Sequence, residues 1–98
     1  MSGAYGNPTA RNVTQTSVDA TMTWTALPTT AMTGRQWVEI YNRGTRKLLI
    51  SVNDSSANVR LVKAIAAGDY KIEPLGDSLT LYGRTLTGST RIIVTEYA

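Results

Sequence analysis

Residues 34–45 of the chain read Gly-Arg-Gln-Trp-Val-Glu-Ile-Tyr-Asn-Arg-Gly-Thr. Successive side chains of a β-strand point to opposite faces, so a strand here presents Val38 and Ile40 on one face. Trp37 and Tyr41 lie on the other face, and both faces therefore need cover. A small domain has one core, so the second face is either half of a sandwich interior or a surface that another protein chain covers.

The composition weighs against catalysis and metal binding. The 98 residues are enough for one domain with a modest core, and they include no Cys and no His. Disulfides are therefore excluded, and the commonest metal ligand and neutral-pH acid–base group is missing. The seven carboxylates lack calcium-loop spacing, and no Ser-x-x-Lys or phosphate-binding glycine motif occurs. We expect no enzyme, no cofactor, no metal and no small-molecule substrate.

Charge and hydropathy restrict the partners further. No run reaches the ~18 apolar residues of a membrane span, and the N-terminus lacks the pattern of a secretory signal. We therefore expect folding in a cytoplasm and no membrane partner. The net charge of +3 arises from ten Lys and Arg that are spread along the chain, with Arg46–Lys47 as the one adjacent pair. Scattered cations disfavour a nucleic-acid partner, because proteins usually bind nucleic acids through a basic cluster interleaved with aromatic rings.

Period-two alternation predicts most of the strands. Residues 18–26 are predicted to form one half-buried strand with Trp24 on its buried face. Residues 35–42 and 47–52 are predicted to pair as a hairpin through the Asn42–Gly44 turn. In residues 69–74, Tyr70, Ile72 and Pro74 alternate with polar neighbours, and the proline indicates an edge strand or a short one.

The rest of the chain also favours short strands. Further strands are predicted at 59–62, 79–82, 84–86 and 90–97, with a break or bulge at Gly83. Residues 63–67 are compatible with a strand end or a helical turn. About seven short strands separated by turn signals predict an all-β domain over residues 12–98, a small antiparallel β-sandwich or barrel.

The N-terminal segment and the aromatic residues bear on partners. Residues 1–11 are predicted to form an extended, flexible arm whose one large apolar group is Tyr5. This arm is either a frayed terminus or a segment that orders on a neighbouring subunit with Tyr5 as its anchor. All seven aromatic residues are Trp or Tyr, whose rings carry a polar group and suit interfaces that meet water.

Four segments together resemble a known group of proteins. They are GRQWVEIYNRG at 34–44, IAAGD at 65–69, LGDSLTLYG at 75–83 and TGSTRIIVTE at 87–96. Their order and spacing, over residues 22–97, resemble small β-sandwich virion structural proteins of tailed bacteriophages. The resemblance implies a structural protein of the virion with no catalytic residues, and specifically a capsid decoration or cement protein. Its implied partners are the major capsid protein and copies of itself.

Two alternatives stay open, besides a single-strand nucleic-acid binder of the oligonucleotide-binding fold, which the scattered charge disfavours. Within the same class, the chain could be a tail or head–tail joining ring protein. From a different class, it could be a small carbohydrate-binding or adhesin-like module, since Trp and Tyr stack on sugar rings. For the decoration function, the candidate contact residues are one arm aromatic, two strand aromatics and four cations near the predicted hairpin: Tyr5, Trp37, Tyr41, Arg35, Arg43, Arg46 and Lys47.

Overall fold

The computed structural model describes residues 12–52 and 63–98, and within them the chain is all-β. It contains eight strands: β1 Val13–Ala20, β2 Thr25–Ala26, β3 Trp37–Asn42, β4 Leu48–Val52, β5 Lys63–Ile65, β6 Tyr70–Pro74, β7 Leu81–Arg84 and β8 Thr90–Tyr97. They form two four-stranded antiparallel sheets, sheet A in the order β1-β8-β3-β6 and sheet B in the order β2-β7-β4-β5. The predicted small antiparallel β-sandwich is confirmed. The predicted arm and the predicted strand at 59–62 lie outside the described residues.

The core lies between the inward faces of the two sheets. Sheet A contributes Val38 and Ile40 from β3 and Ile92 and Val94 from β8, each completely buried. Sheet B covers them with aliphatic side chains that are at most 3% exposed: Leu48, Ile50, Ile65 and Leu81. Val38 and Ile40 thus face the core while Trp37 and Tyr41 face away from it, as the alternation in residues 34–45 predicts.

The predicted hairpin between β3 and β4 is wrong, because the two strands belong to different sheets. The side chain of Asn42, completely buried, organises this crossover. Its amide donates to the carbonyls of Arg46 at 2.7 Å and Ile65 at 3.0 Å, and its oxygen accepts from the Thr90 hydroxyl at 2.7 Å. Gly44 is required here for close packing, since a Cβ at this position would overlap Thr90. The turn signal was therefore correct, but it carries the chain from one sheet to the other.

The predicted single strand over residues 18–26 is also wrong. β1 ends at Ala20 in sheet A, and the chain resumes as β2 in sheet B, paired with β7. Met22 lies in the connection and is 55% exposed. Trp24 is only half-buried, with the Arg84 guanidinium 5.8 Å from its ring centroid, so it is not a core residue. The alternation continues through the segment, but the strand does not.

The sandwich also corrects the expectations around β5 and β7. For residues 63–67 the sequence left a strand end and a helical turn open. Residues 63–65 form the strand β5. Gly83 lies inside β7, whose register with β4 continues through it without a bulge, and residues 85–89 form a turn rather than part of a strand. A Cβ on Gly83 would lie 2.6 Å from Leu27 Cδ1. The glycine therefore makes room for the buried Leu27 side chain.

Arg35 is not a surface residue, which corrects its place among the candidate contact residues. It is 3% exposed and forms an ion pair of 3.0 Å with Glu96, which is equally enclosed on the inner face of β8. Its remaining guanidinium groups donate to the carbonyl oxygens of Leu75, Gly76 and Leu79. Arg35 thus joins two loops to β8 and has no surface to offer a partner.

Candidate protein-docking surface

The outer face of sheet A points away from sheet B. It consists of the odd-numbered residues of the three long strands and the even-numbered residues of β6: Val13, Gln15, Ser17, Asp19, Trp37, Glu39, Tyr41, Tyr70, Ile72, Pro74, Arg91, Ile93, Thr95 and Tyr97. We call this set the outer face.

Strand register arranges the outer face in rows that cross the sheet. One row runs Val13, Tyr97, Trp37, Pro74, and another runs Ser17, Ile93, Tyr41, Tyr70. The row between them runs Gln15, Thr95, Glu39, Ile72. In the middle row Ile72 lies diagonally across from both Trp37 and Tyr41, within reach of aromatic side chains, so it links the two apolar rows. The outer face is therefore a continuous patch rather than a set of scattered apolar residues.

β6 shows most directly that this patch faces outward. Its aromatic and aliphatic side chains are exposed, Tyr70 by 58% and Ile72 by 53%. Lys71 and Glu73, the charged residues between them, are half-buried on the inner side. The usual placement of apolar side chains inward and charged side chains outward is thus reversed in this strand. Clustered apolar groups of this kind on a small domain mark contact sites for other molecules.

The inner side of β6 explains where its charges go. Glu73 accepts a hydrogen bond of 2.5 Å from the ammonium group of Lys63 on β5, the strand at the edge of sheet B. This ion pair joins the β6 edge of sheet A to the β5 edge of sheet B. The charged residues of β6 are therefore used to close the side of the sandwich, which leaves its apolar residues pointing outward.

Glu39 is the one unneutralised charge of the outer face. Its Oε1 accepts a hydrogen bond of 3.3 Å from the Tyr97 hydroxyl, and within residues 12–52 and 63–98 no cation lies at ion-pair distance from it. Burial raises the pKa of the Tyr97 phenol, and the charge and hydrogen bond of Glu39 raise it further. At the corner of the face, Arg91 pairs with Asp19 at 2.7 Å. The central row of the outer face therefore carries one negative charge, between the polar Thr95 and the apolar Ile72.

The candidate contact residues that the sequence predicted do not lie together in the structure. Trp37 and Tyr41 lie on the outer face, with Tyr41 38% exposed. Arg43, Arg46 and Lys47 lie together, all exposed, on the turn between β3 and β4 at one end of the sandwich. Arg46 and Lys47 line a shallow cleft of about 310 Å³ together with the exposed Leu86. Arg35 is buried towards the opposite end, and Tyr5 lies outside the described residues.

Sequence reasoning missed most of the patch. Five further apolar residues of the outer face were not among the candidates: Val13, Tyr70, Ile72, Ile93 and Tyr97. Alternation in β6 did reveal which of its residues share a face, but it did not reveal which face is inward. That assignment depends on pairing with β3, whose own two faces were both apolar.

The described residues offer little else to a ligand. They hold no group of three or more Asp, Glu, His or Cys that could bind a metal ion. None of their elements is a helix, so no helix of that part of the chain could cross a membrane. The outer face is therefore the candidate functional site of this β-sandwich.

Comparison of the chain with protein-family models, with curated proteins and with solved structures returns no match.

Proposed function

We propose that this protein is a structural component of a tailed-bacteriophage virion, a capsid decoration (cement) protein that binds the outer capsid shell and bridges coat subunits. The observation that carries the proposal is the outer face, an apolar and aromatic patch on a sandwich whose core is already closed by sheet B. The resemblance of residues 22–97 to small virion proteins supplies the setting. The protein would be made in the host cytoplasm and reside in the virion.

The outer face has the composition of a binding surface rather than of an ordinary protein surface. Aromatic residues are enriched in the cores of protein interfaces, and here Tyr41 lies directly opposite Tyr70 and Trp37 directly opposite Tyr97. Burying a side chain of this size contributes about 1.5–3 kcal/mol. A stable interface buries ~800 Å² per partner, which a four-stranded face can supply. Repetition over a capsid lattice adds multivalent attachment.

The charged residues of this protein indicate which charges the coat surface should present. Glu39 would lose its water on docking, so the coat surface should present a Lys or Arg opposite this carboxylate. The exposed cations Arg43, Arg46 and Lys47 lie at the end of the sandwich, where they can reach an acidic region of a neighbouring coat subunit. One chain would thereby contact two coat subunits, which is what a bridging protein requires.

The test is co-sedimentation of the protein with DNA-free expanded capsids. Ile72→Glu places a second negative charge opposite Glu39 in the outer face, and Met22→Glu is its matched control, because Ile72 and Met22 are 53% and 55% exposed. Ile72→Glu should reduce capsid binding by more than about 100-fold, equivalent to one lost anchor residue, and Met22→Glu should leave it unchanged. Equal binding by both variants, or no binding by the unmodified protein, would contradict the proposal.

Labelling of whole particles distinguishes a capsid decoration protein from a tail or head–tail joining ring protein. A gold-labelled antibody against this chain should decorate the head in negative-stain micrographs. Label confined to the neck or tail would instead support a tail or head–tail joining ring protein, and the outer face would then be a contact of that ring.

One observation favours a second class. Two pairs of aromatic residues, Tyr41 with Tyr70 and Trp37 with Tyr97, are direct cross-strand neighbours on the outer face, a platform on which sugar rings could stack. Affinity electrophoresis in gels containing bacterial surface polysaccharide tests this function. Retardation that Trp37→Ala abolishes, without any capsid binding, would establish a carbohydrate-binding module instead.

A further inference from the structure

The two edges of sheet A are protected to very different extents. β6 forms one edge and carries three features that prevent strand pairing: it is five residues long, it ends in Pro74, and Lys71 and Glu73 point inward. β1 forms the other edge and has none of them. It is eight residues long, contains no Pro and no Lys, and pairs with β8 in a continuous register without a bulge.

The outward-pointing backbone groups of β1 can be identified from one hydrogen-bonded pair. Asn12 and Ala98 exchange two bonds, Asn12 N–H to Ala98 O at 2.7 Å and Ala98 N–H to Asn12 O at 2.8 Å. Bonded and non-bonded pairs alternate along an antiparallel ladder, so the even-numbered residues of β1 bond to β8. The odd-numbered residues direct N–H and C=O away from β8: Val13, Gln15, Ser17 and Asp19.

These outward groups have no backbone partner among residues 12–52 and 63–98. Exposed strand edges of this length act as templates for another strand unless something covers them. The side chains along the edge include no aromatic residue, and its one charge, Asp19, is already paired with Arg91 at 2.7 Å. Neither bulk nor repulsion therefore prevents a second strand from approaching.

We propose that β1 pairs with β1 of a second copy of this chain, antiparallel about a two-fold axis at Thr16. In this register Gln15 lies opposite Ser17 of the other copy and Val13 lies opposite its Asp19. All outward N–H and C=O groups of both strands are then used, which gives about eight backbone hydrogen bonds. No other register uses all of them.

The side chains of β1 are compatible with pairing to β1 of a second copy. The two Thr16 residues face each other on the axis, a cross-strand pair that is favourable in sheets. The two Asp19 carboxylates lie at opposite ends of the new ladder, roughly 20 Å apart at ~3.4 Å per residue, so they do not repel each other strongly. Self-pairing through the outer face would instead bury two unneutralised Glu39 carboxylates in one apolar interface. The edge is therefore the self-contact, and the outer face remains available.

The pairing has a structural consequence. Two four-stranded A sheets become one eight-stranded sheet, and the two outer faces become one continuous apolar surface on the same side. This inference concerns the edge alone, so it stands or fails independently of what the outer face binds.

A single cysteine tests the register, because the chain has no Cys of its own. Residues opposite each other in a non-bonded antiparallel pair have Cα atoms ~4.5 Å apart, which a disulfide can span. Thr16→Cys should therefore give a cross-linked dimer under mild oxidation. Thr14→Cys is the control, since Thr14 would lie opposite Val18 of the other copy, about 14 Å from its own counterpart. We expect at least about tenfold more cross-linked dimer for Thr16→Cys; equal amounts for both variants, or none, would overturn the proposal.

Sedimentation velocity of the full chain without cysteine provides the second measurement. The unmodified protein should be dimeric, and Gln15→Pro should make it monomeric by removing an outward N–H while leaving the bonds to β8 in place. Gln15→Ala loses the same side-chain bond to Thr95 but keeps the N–H, so it should stay dimeric. An unmodified protein that remains monomeric at its highest soluble concentration would overturn the proposal. A full chain that dimerises only after residues 1–11 are deleted would also overturn it, since its own N-terminal segment would then occupy the edge.

Discussion

The guanidinium of Arg35 and the carboxylate of Glu96 form an ion pair of 3.0 Å in which neither side chain is more than 3% exposed. The pair is fully hydrogen-bonded: Glu96 also accepts from the backbone N–H of Met32 at 2.9 Å. Because Arg35 binds carbonyls at 75, 76 and 79 as well, the pair connects two loops to the last strand. A buried charge is tolerated here only while its partner is present.

We expect Glu96→Gln to lower the free energy of unfolding by about 3 kcal/mol, because it leaves the Arg35 charge buried without a counter-charge. Urea denaturation measures the change. Asp19→Asn is the matched control, since the Asp19–Arg91 pair is more than half exposed on both sides and should contribute under about 1 kcal/mol. Similar losses for the two variants would show that the buried pair is not what fastens this end of the sandwich.

Asn42 should also be sensitive to a small change in its side chain. Asn42→Asp replaces the amide that donates to two carbonyls with a buried carboxylate facing them. We expect a loss of about 3 kcal/mol in the free energy of unfolding, from lost bonds and an unpaired charge. The same substitution at the exposed Asn12 should change stability by less than about 0.5 kcal/mol. A protein with Asn42→Asp as stable as the unmodified one would contradict the role assigned to Asn42 in the crossover.

Removal of two different buried hydroxyl groups should change stability in opposite directions. Ser51 is 1% exposed, and its hydroxyl has no hydrogen-bond partner in the part of the chain that the structure describes. Ser51→Ala should therefore raise the free energy of unfolding by about 1 kcal/mol, as an unsatisfied polar group is removed. Thr85, also buried, donates to the Gly88 carbonyl at 2.6 Å, so Thr85→Val should lower stability by about 1 kcal/mol. Thermal denaturation of both variants checks the pair, and a loss in both would refute the prediction for Ser51.

Tyr97 should make the fold sensitive to alkali. Its pKa is raised in the folded protein, first by burial and then by Glu39, so the folded state holds the phenolic proton more tightly than the unfolded state. The resulting stability is fully present below the unfolded pKa of about 10 and is lost as pH rises through the folded pKa. Absorbance titration of tyrosinate should show one late-titrating group that disappears in Tyr97→Phe. Glu39→Gln should shift this group to lower pH, and an unshifted titration would remove Glu39 as a cause.

Local patterns were sufficient for β3, β4, β6 and β8 and for the two sides of β3. Trp37 and Tyr41 lie opposite to Val38 and Ile40 because side-chain alternation is a property of the extended backbone itself. Pro74 likewise marked an edge strand, since a residue without N–H cannot serve a central one. These features depend on neighbours along the chain and could be predicted without knowing the rest of the fold.

Only the tertiary structure decided which sheet each strand joins and which face is covered. β3 and β4 are neighbours in sequence but pair with β8 and β7, and β6 turns its apolar side outward because of its pairing with β3. Arg35, which the sequence suggested as a contact, is buried because Glu96, far along the chain, lies beside it. Such outcomes depend on free energies summed over distant strands, whereas alternation within one strand is the same whichever side is buried.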